Sequence, residues 1–224
     1  MNRPVPGWTV ETCSGSAAVL HHTATPVAPV RTVRRLEVHS PTLVLGSSQA
    51  DAVVDTEAAS RAGLDVARRR SGGGAVLLVP GDHVWIDFWI PRGDELWHDD
   101  IVRAADWVGD TWVRALKKCG VADLEVHRGG LEARPWSELV CFAGLGPGEV
   151  MVRRHKYVGV SQRRTREWIR VQTMVHREFR ADLTVAGLRM SAGQRREAAL
   201  ELAPVVGVVG EAPVTESVLA SLPA

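Results

Sequence analysis

Arg69-Arg70-Ser71-Gly72-Gly73-Gly74-Ala75-Val76 runs through three consecutive glycines between apolar, strand-like segments, and no other stretch of the chain constrains the fold as sharply. Glycine lets the backbone adopt φ > 0 and approach a ligand closely, and the preceding arginines offer forked donors to a carboxylate or phosphate. On its own the stretch reads equally as a hairpin connector with a solvated basic edge or as an acyl or nucleotide site.

The flanking pattern supplies strands at Leu64–Ala67, Ala75–Val79 and Val84–Ile90, with Pro80-Gly81-Asp82 as the turn between the last two. Asp51–Ala62 reads as a short helix stopped by Gly63. From Asp99 or Asp100, a stripe of Ile101, Ala104, Ala105, Val108, Trp112, Ala115, Leu116 and Cys119 marks a helix that ends at Gly120 and places Cys119 in the core. Glu149–Val152 and Lys156–Arg164 form a hairpin about Arg153-Arg154-His155, with Trp168–Val175 beside it. Gln194–Leu202 is a further helix and Thr215–Leu222 another. Trp85 and Trp89 share a strand face with Asp87, opposite Val84, Ile86, Phe88 and Ile90. That face either packs against a helix or lines an acyl tunnel.

Size and composition fit one α/β unit: 224 residues, 45% hydrophobic. The net charge of +1, with acids and bases interleaved, gives no basic face for nucleic acid. Met1–Pro29 has no basic segment followed by an apolar one, and no run approaches the ~18 apolar residues of a membrane span, so a cytoplasmic protein with no membrane contact is expected. Cys13, Cys119 and Cys141 form no CxxC pair; free thiols and no metal site are expected.

Lysine is scarce where arginine is abundant. Lys117 and Lys118 fall on the outer face of the long helix, whereas Lys156 opens Lys156-Tyr157-Val158-Gly159-Val160-Ser161-Gln162-Arg163, a strand whose glycine allows close approach. A compact ammonium at this place reads equally as a surface lysine or as a functional one.

Together these blocks resemble the lipoate-protein ligase A and octanoyltransferase family: Ala67–Val76, Lys156-x-x-Gly159-x-Ser161-Gln162, the upstream Ser40–Gly46 segment with Gln49, and Cys141-Phe142 with Glu149. The resemblance covers about residues 30 to 175. It implies a mixed, largely antiparallel α/β (α+β) fold shared with biotin-protein ligases, built as a single catalytic domain, in which the glycine and lysine strands face one acyl pocket. By resemblance, Arg69, Gly72, Gly73, Gly74, Ala75, Val76, Leu77 and Gly159 line that pocket. Ser161 is a further substrate-binding residue, Ser71 and Arg163 lie near the acyl carboxyl, and Lys156 holds the negative charge that develops there. Lys156→Ala is then expected to abolish transfer with the fold intact. The GRGRxGRxW pattern of biotin ligases is absent.

Two chemistries follow from the resemblance, each delivering an acyl group to the lysine of a lipoyl carrier domain. A ligase uses ATP, Mg and lipoate to make acyl-AMP, with or without a partner chain. A transferase takes octanoate from octanoyl-acyl carrier protein through a cysteine thioester and needs no tightly bound cofactor. Cys141 resembles that nucleophile in placement, with Lys156 close enough to favour its thiolate, although a cysteine between Val140 and Phe142 also suits a buried small hydrophobe. The roughly fifty residues after Val175 are too few for an accessory domain and lean toward the transferase, or toward a ligase needing a partner. The chain departs from the family in having Leu78-Val79 for His-Asp and Gln172-Thr173-Met174-Val175 for Gln-His-Gly-Ser. His83, His155 and His176 are nearby in sequence, as surface or turn residues or as substitutes for the lost groups. A non-catalytic acyl or carrier binder is the further alternative, as is transfer of some other acyl group.

Overall fold

The computed structural model describes residues 5–224; residues 1–4, part of the stretch read above for a leader, lie outside them. In chain order the elements are β1 (Thr9–Gly15), α1 (Ala17–His21), β2 (Thr32–Val38), β3 (Thr42–Leu45), α2 (Thr56–Arg61), β4 (Asp65–Arg68), β5 (Val76–Leu78), β6 (His83–Pro91), α3 (Arg103–Lys118), β7 (Leu124–Val126), β8 (Val150–Val152), β9 (His155–Arg164), β10 (Trp168–His176), α4 (Ala181–Ala186), α5 (Ala192–Leu202) and α6 (Val214–Leu219). A seven-stranded sheet runs β1-β2-β6-β10-β9-β8-β7, and a three-stranded sheet runs β4-β3-β5. β1/β2 and β3/β4 pair in parallel and the other ladders are antiparallel. The mixed, largely antiparallel architecture expected from the sequence is the one found.

Alternation along the inner strands sorts the two faces of the large sheet. Ile86, Phe88 and Ile90 of β6, with Ile169, Val171 and Val175 of β10, pack against the Ala104, Val108, Trp112, Ala115 and Leu116 stripe of α3. Burying side chains such as Trp112 and Leu116 contributes about 1.5–3 kcal/mol each. The Asp100 carboxylate, which accepts from the Val102 and Arg103 N–H groups at 2.8 and 3.2 Å, contributes about 1 kcal/mol. Packing therefore fixes this helix and the cap sets its start. Ile101, placed on the stripe by spacing, is exposed, because the helix begins after it. Cys119 caps the C-terminus, half-buried against the core.

The opposite face carries Trp85 and Met174, which meet Leu36, Val44, Leu78 and Phe142 between the two sheets. Beyond the small sheet, α2, α4 and α5 close a further core around Leu43, Leu77, Leu188 and Leu202. Asp51–Ala62 is not one helix: a 3-10 turn at Asp51–Val53 precedes α2, which starts where Asp55 accepts from the Ala58 N–H at 2.9 Å. The aspartate side chain offers the backbone a new start and breaks the run in two. No helix among the described residues is long and apolar enough to cross a membrane.

Candidate active site

The glycine loop is held from below. Arg69, buried at the end of β4, donates to the Gly72 and Gly74 carbonyls at 2.7 and 2.8 Å. Gly73 has φ +93°, and a Cβ on Gly46 would sit 1.9 Å from the Gly73 carbonyl oxygen, so two loops cross where neither tolerates a side chain. A Cβ on Gly74 would fall within 2.8 Å of the Val140 and Cys141 backbone. Ala75 donates to the Leu139 carbonyl and accepts from the Cys141 N–H at 2.9 Å, which places Cys141 beside the loop. Cys141 opens a 3-10 turn, Cys141–Ala143, and is half-buried with a free thiol.

Lys156 reaches the same place from β9. The register of β8 and β9 slips between Val150 and Met151, leaving Tyr157 as an extra residue. In an unbroken strand Lys156 would share the face of Val158, which lies in the core under α3. The bulge turns it instead to the face of Gly159, the usual consequence of an inserted residue. Its ammonium donates to the Cys141 and Gly144 carbonyls at 2.9 and 3.0 Å and pairs with Glu149 Oε2 at 2.7 Å. Glu149 also accepts from the Val160 and Gly146 N–H groups at 3.0 and 2.8 Å. Burial pushes the Glu149 carboxyl above the usual carboxylate range, against the pull of Lys156 and those two N–H groups. The lysine thus holds the backbone of Cys141 through its carbonyl, rather than contacting the thiol.

Two cavities meet at Cys141. A groove of about 610 Å³ is lined by Gly72, Gly73 and Gly74 on one side and by Glu149, Lys156 and Ser161 on the other. A slot of about 50 Å³ lies between the sheets, walled by Val76, Leu78, Trp85, Phe142 and Met174, with Arg69, Gly159 and Gln172 at its edges. Cys141 and Ser161 line both. Ser71 ties the loop to β9 through Ser161 at 3.0 Å, with Gln172 3.4 Å away.

The glycine loop and the lysine strand therefore line one groove. Leu77 does not join it; on β5 Val76 and Leu78 face the slot while Leu77 packs into the opposite core. Arg163 pairs with Arg170 farther along β9 and lines neither cavity. Of the tryptophans, Trp85 lines the slot, and Trp89 is covered by Arg34 and Arg170, each 5.0 Å from its ring. His176 is no surface residue: it is buried between Phe142 and Phe179, its pKa lowered to about 3 by burial first and then by His83 and Lys156. His83, His155 and His176 all stand outside both cavities.

The histidine that does reach the slot is His21, which the sequence reading missed. It ends α1, stacks on Trp85 with ring centroids 4.4 Å apart, and lies 3.3 Å from Gln172. Burial, with the Arg69 and Arg170 charges, lowers its pKa to about 2, so it is neutral. A short helix of ordinary composition carries no sequence signal for this. Beneath it, Arg170 donates to Asp87 at 2.6 Å and to the His21 and Leu20 carbonyls at 2.7 and 2.9 Å.

Comparison with known proteins agrees with the fold. No curated protein matches the chain in sequence. Among solved structures, it is similar to one from a structural analysis of an archaeal lipoylation system, a bi-partite lipoate protein ligase and its E2 lipoyl domain from Thermoplasma acidophilum, with TM-score 0.67, 17% identity, and coverage of 90% of this chain and 73% of that one. A lipoate-protein ligase A bound with ATP gives TM-score 0.56 and 18% identity over 85% of this chain and 80% of that one. P. falciparum LipL1 in complex with lipoate gives 0.57 and 11% over 87% and 61%. These likenesses establish the fold. The model of the lipoyl protein ligase A/B catalytic domain matches residues 17–197, and the chain belongs to that family.

Proposed function

We propose that this chain is a cytoplasmic acyltransferase of lipoate metabolism, working as a single catalytic domain. It moves an octanoyl or lipoyl group to the lysine of a lipoyl carrier domain through a thioester on Cys141. The observation that carries this reading is the position of Cys141, the one thiol at the junction of an apolar slot between the sheets and a groove open enough for a donor or acceptor.

In this reading the acyl tail enters the slot and its carbonyl lies at Cys141. The Cys141 sulfur attacks the thioester carbonyl of octanoyl-acyl carrier protein, a new C–S bond forms, and the carrier thiolate leaves and takes up a proton. The acceptor lysine amine then attacks, the amide C–N bond forms, and its proton returns to the departing Cys141 sulfur. The backbone N–H groups of the Gly72–Gly74 loop are the donors at hand for the oxyanion of both steps, and the Lys156 ammonium, whose three hydrogens go to Cys141, Gly144 and Glu149, supports it as a nearby positive charge. Arg69, whose Nε is buried without a partner, adds positive charge at the slot edge.

The groove favours a second reading. Its size, between a glycine loop and a lysine, also suits ATP with Mg, and lipoate would then be carried as acyl-AMP. Mass analysis of a lipoyl carrier domain separates the two. Octanoyl transfer from octanoyl-acyl carrier protein without ATP, lost in Cys141→Ser, supports the transferase. Modification only with lipoate, ATP and Mg makes it a ligase, and no modification in either case leaves a non-catalytic binder.

A further inference from the structure

We propose that Met174 is the gate of the slot, and that it selects slim, unbranched acyl chains such as octanoyl over the ring-ended lipoyl chain; this rests on the acyl-transfer reading above. The slot measures about 50 Å³. An apolar cavity of about 150 Å³ is what holds a benzene-sized ligand, so an eight-carbon chain enters only if a wall moves.

Most walls are fixed. Trp85 donates from Nε1 to the buried Asp87 at 2.7 Å and is stacked on His21. Phe142 fills the space over Gly159, where a Cβ would lie 2.9 Å from its ring, and the Lys156 ammonium sits 5.0 Å from its centroid. Arg69 is tied to the glycine loop by two carbonyls. Val76 and Leu78 belong to β5, paired to β3, and the β-branched Val76 is stiff at χ1.

Met174 differs in kind. It stands on β10 opposite Trp85 on one side and Gly159 on the other. Its side chain is unbranched, has three rotatable bonds and needs no hydrogen-bond partner. Rotation of this side chain lengthens the slot without disturbing the backbone, and the track it opens is one side chain wide. A polymethylene chain follows such a track. A five-membered disulfide ring is wider than the side chain it would have to displace and meets Trp85 and Phe142, which do not yield.

The test compares octanoyl and lipoyl donors on one carrier domain, and octanoic and lipoic acid by calorimetry, for the wild-type chain, Met174→Ala and Met174→Leu. The expected preference for octanoyl is roughly tenfold or more in the wild type, within the range a pocket achieves for small steric differences. It should persist in the volume-conserving Met174→Leu and shrink to about twofold in Met174→Ala as lipoyl gains entry. Equal use of both chains by the wild type, or an unchanged ratio in Met174→Ala, overturns the gate. Should no transfer occur, the acids decide: octanoic acid bound over lipoic acid, with the difference lost in Met174→Ala, upholds the gate while removing the transfer reading. Equal binding overturns the gate alone, and binding of neither acid overturns it together with the acyl slot.

Discussion

Two buried ion pairs stand on one face of the large sheet, and they do different work. Asp87–Arg170 is closed on every side: both residues are buried, and the guanidinium also holds the carbonyls that end α1. Glu149–Lys156 is as deeply buried, but its partners are the carbonyls of the Cys141–Gly144 turn, and both residues border the open groove. Burial and charge do not by themselves mark a site. What separates the pairs is what lies beyond them, a helix end in one case and a half-buried thiol beside a cavity in the other.

The comparison predicts its largest effect at the closed pair. Arg170→Leu leaves Asp87 buried and unpaired and should cost about 3–5 kcal/mol, read from the urea midpoint; a loss under about 1 kcal/mol would remove the structural role. At the open pair, Lys156→Ala would strand Glu149 in the same way, so the intact fold expected from sequence does not follow. The informative variant is Lys156→Met with Glu149→Gln, which removes both charges and keeps the volume. It should melt near the wild type while transfer falls about 10²–10³-fold. Normal turnover by that folded protein would break the distinction.

A smaller effect comes from His176, behind Phe142. Its folded pKa of about 3 lies below the ordinary 6.5, so the unfolded chain takes up a proton that the folded chain refuses. Its contribution is present above pH 6.5 and lost as pH falls, amounting to about 2 kcal/mol at pH 5. Thermal melts from pH 7 to 5 should show a shallower decline for His176→Leu than for the wild type. The least effect is expected at Ser71→Ala, which removes the Ser161 hydrogen bond: about 1 kcal/mol of stability, with transfer within about threefold. A complete loss of transfer would move Ser71 into the reaction.

Where local pattern decides, the sequence was legible. The α3 stripe, the β8–β9 hairpin and its β10 neighbour, and the glycine loop all follow from periodicity or turn chemistry. The convergence of Gly72–Gly74, Cys141 and Lys156 was legible only through the order of blocks, because the bulge at Tyr157 that aims the lysine has no local signal. Leu77 fell on the wrong side of the pocket because a loop followed by a three-residue strand does not reveal its phase. His21 and the Asp87–Arg170 pair were invisible, since they depend on α1 packing against strands far along the chain.

The measurement that bears most directly on the central claim is the intact mass of the protein after mixing with octanoyl-acyl carrier protein in the absence of ATP, beside Cys141→Ser. The account predicts a hydroxylamine-labile adduct of one octanoyl group on the wild type and none on the variant. An unmodified wild-type chain, or an adduct that survives in Cys141→Ser, would contradict it.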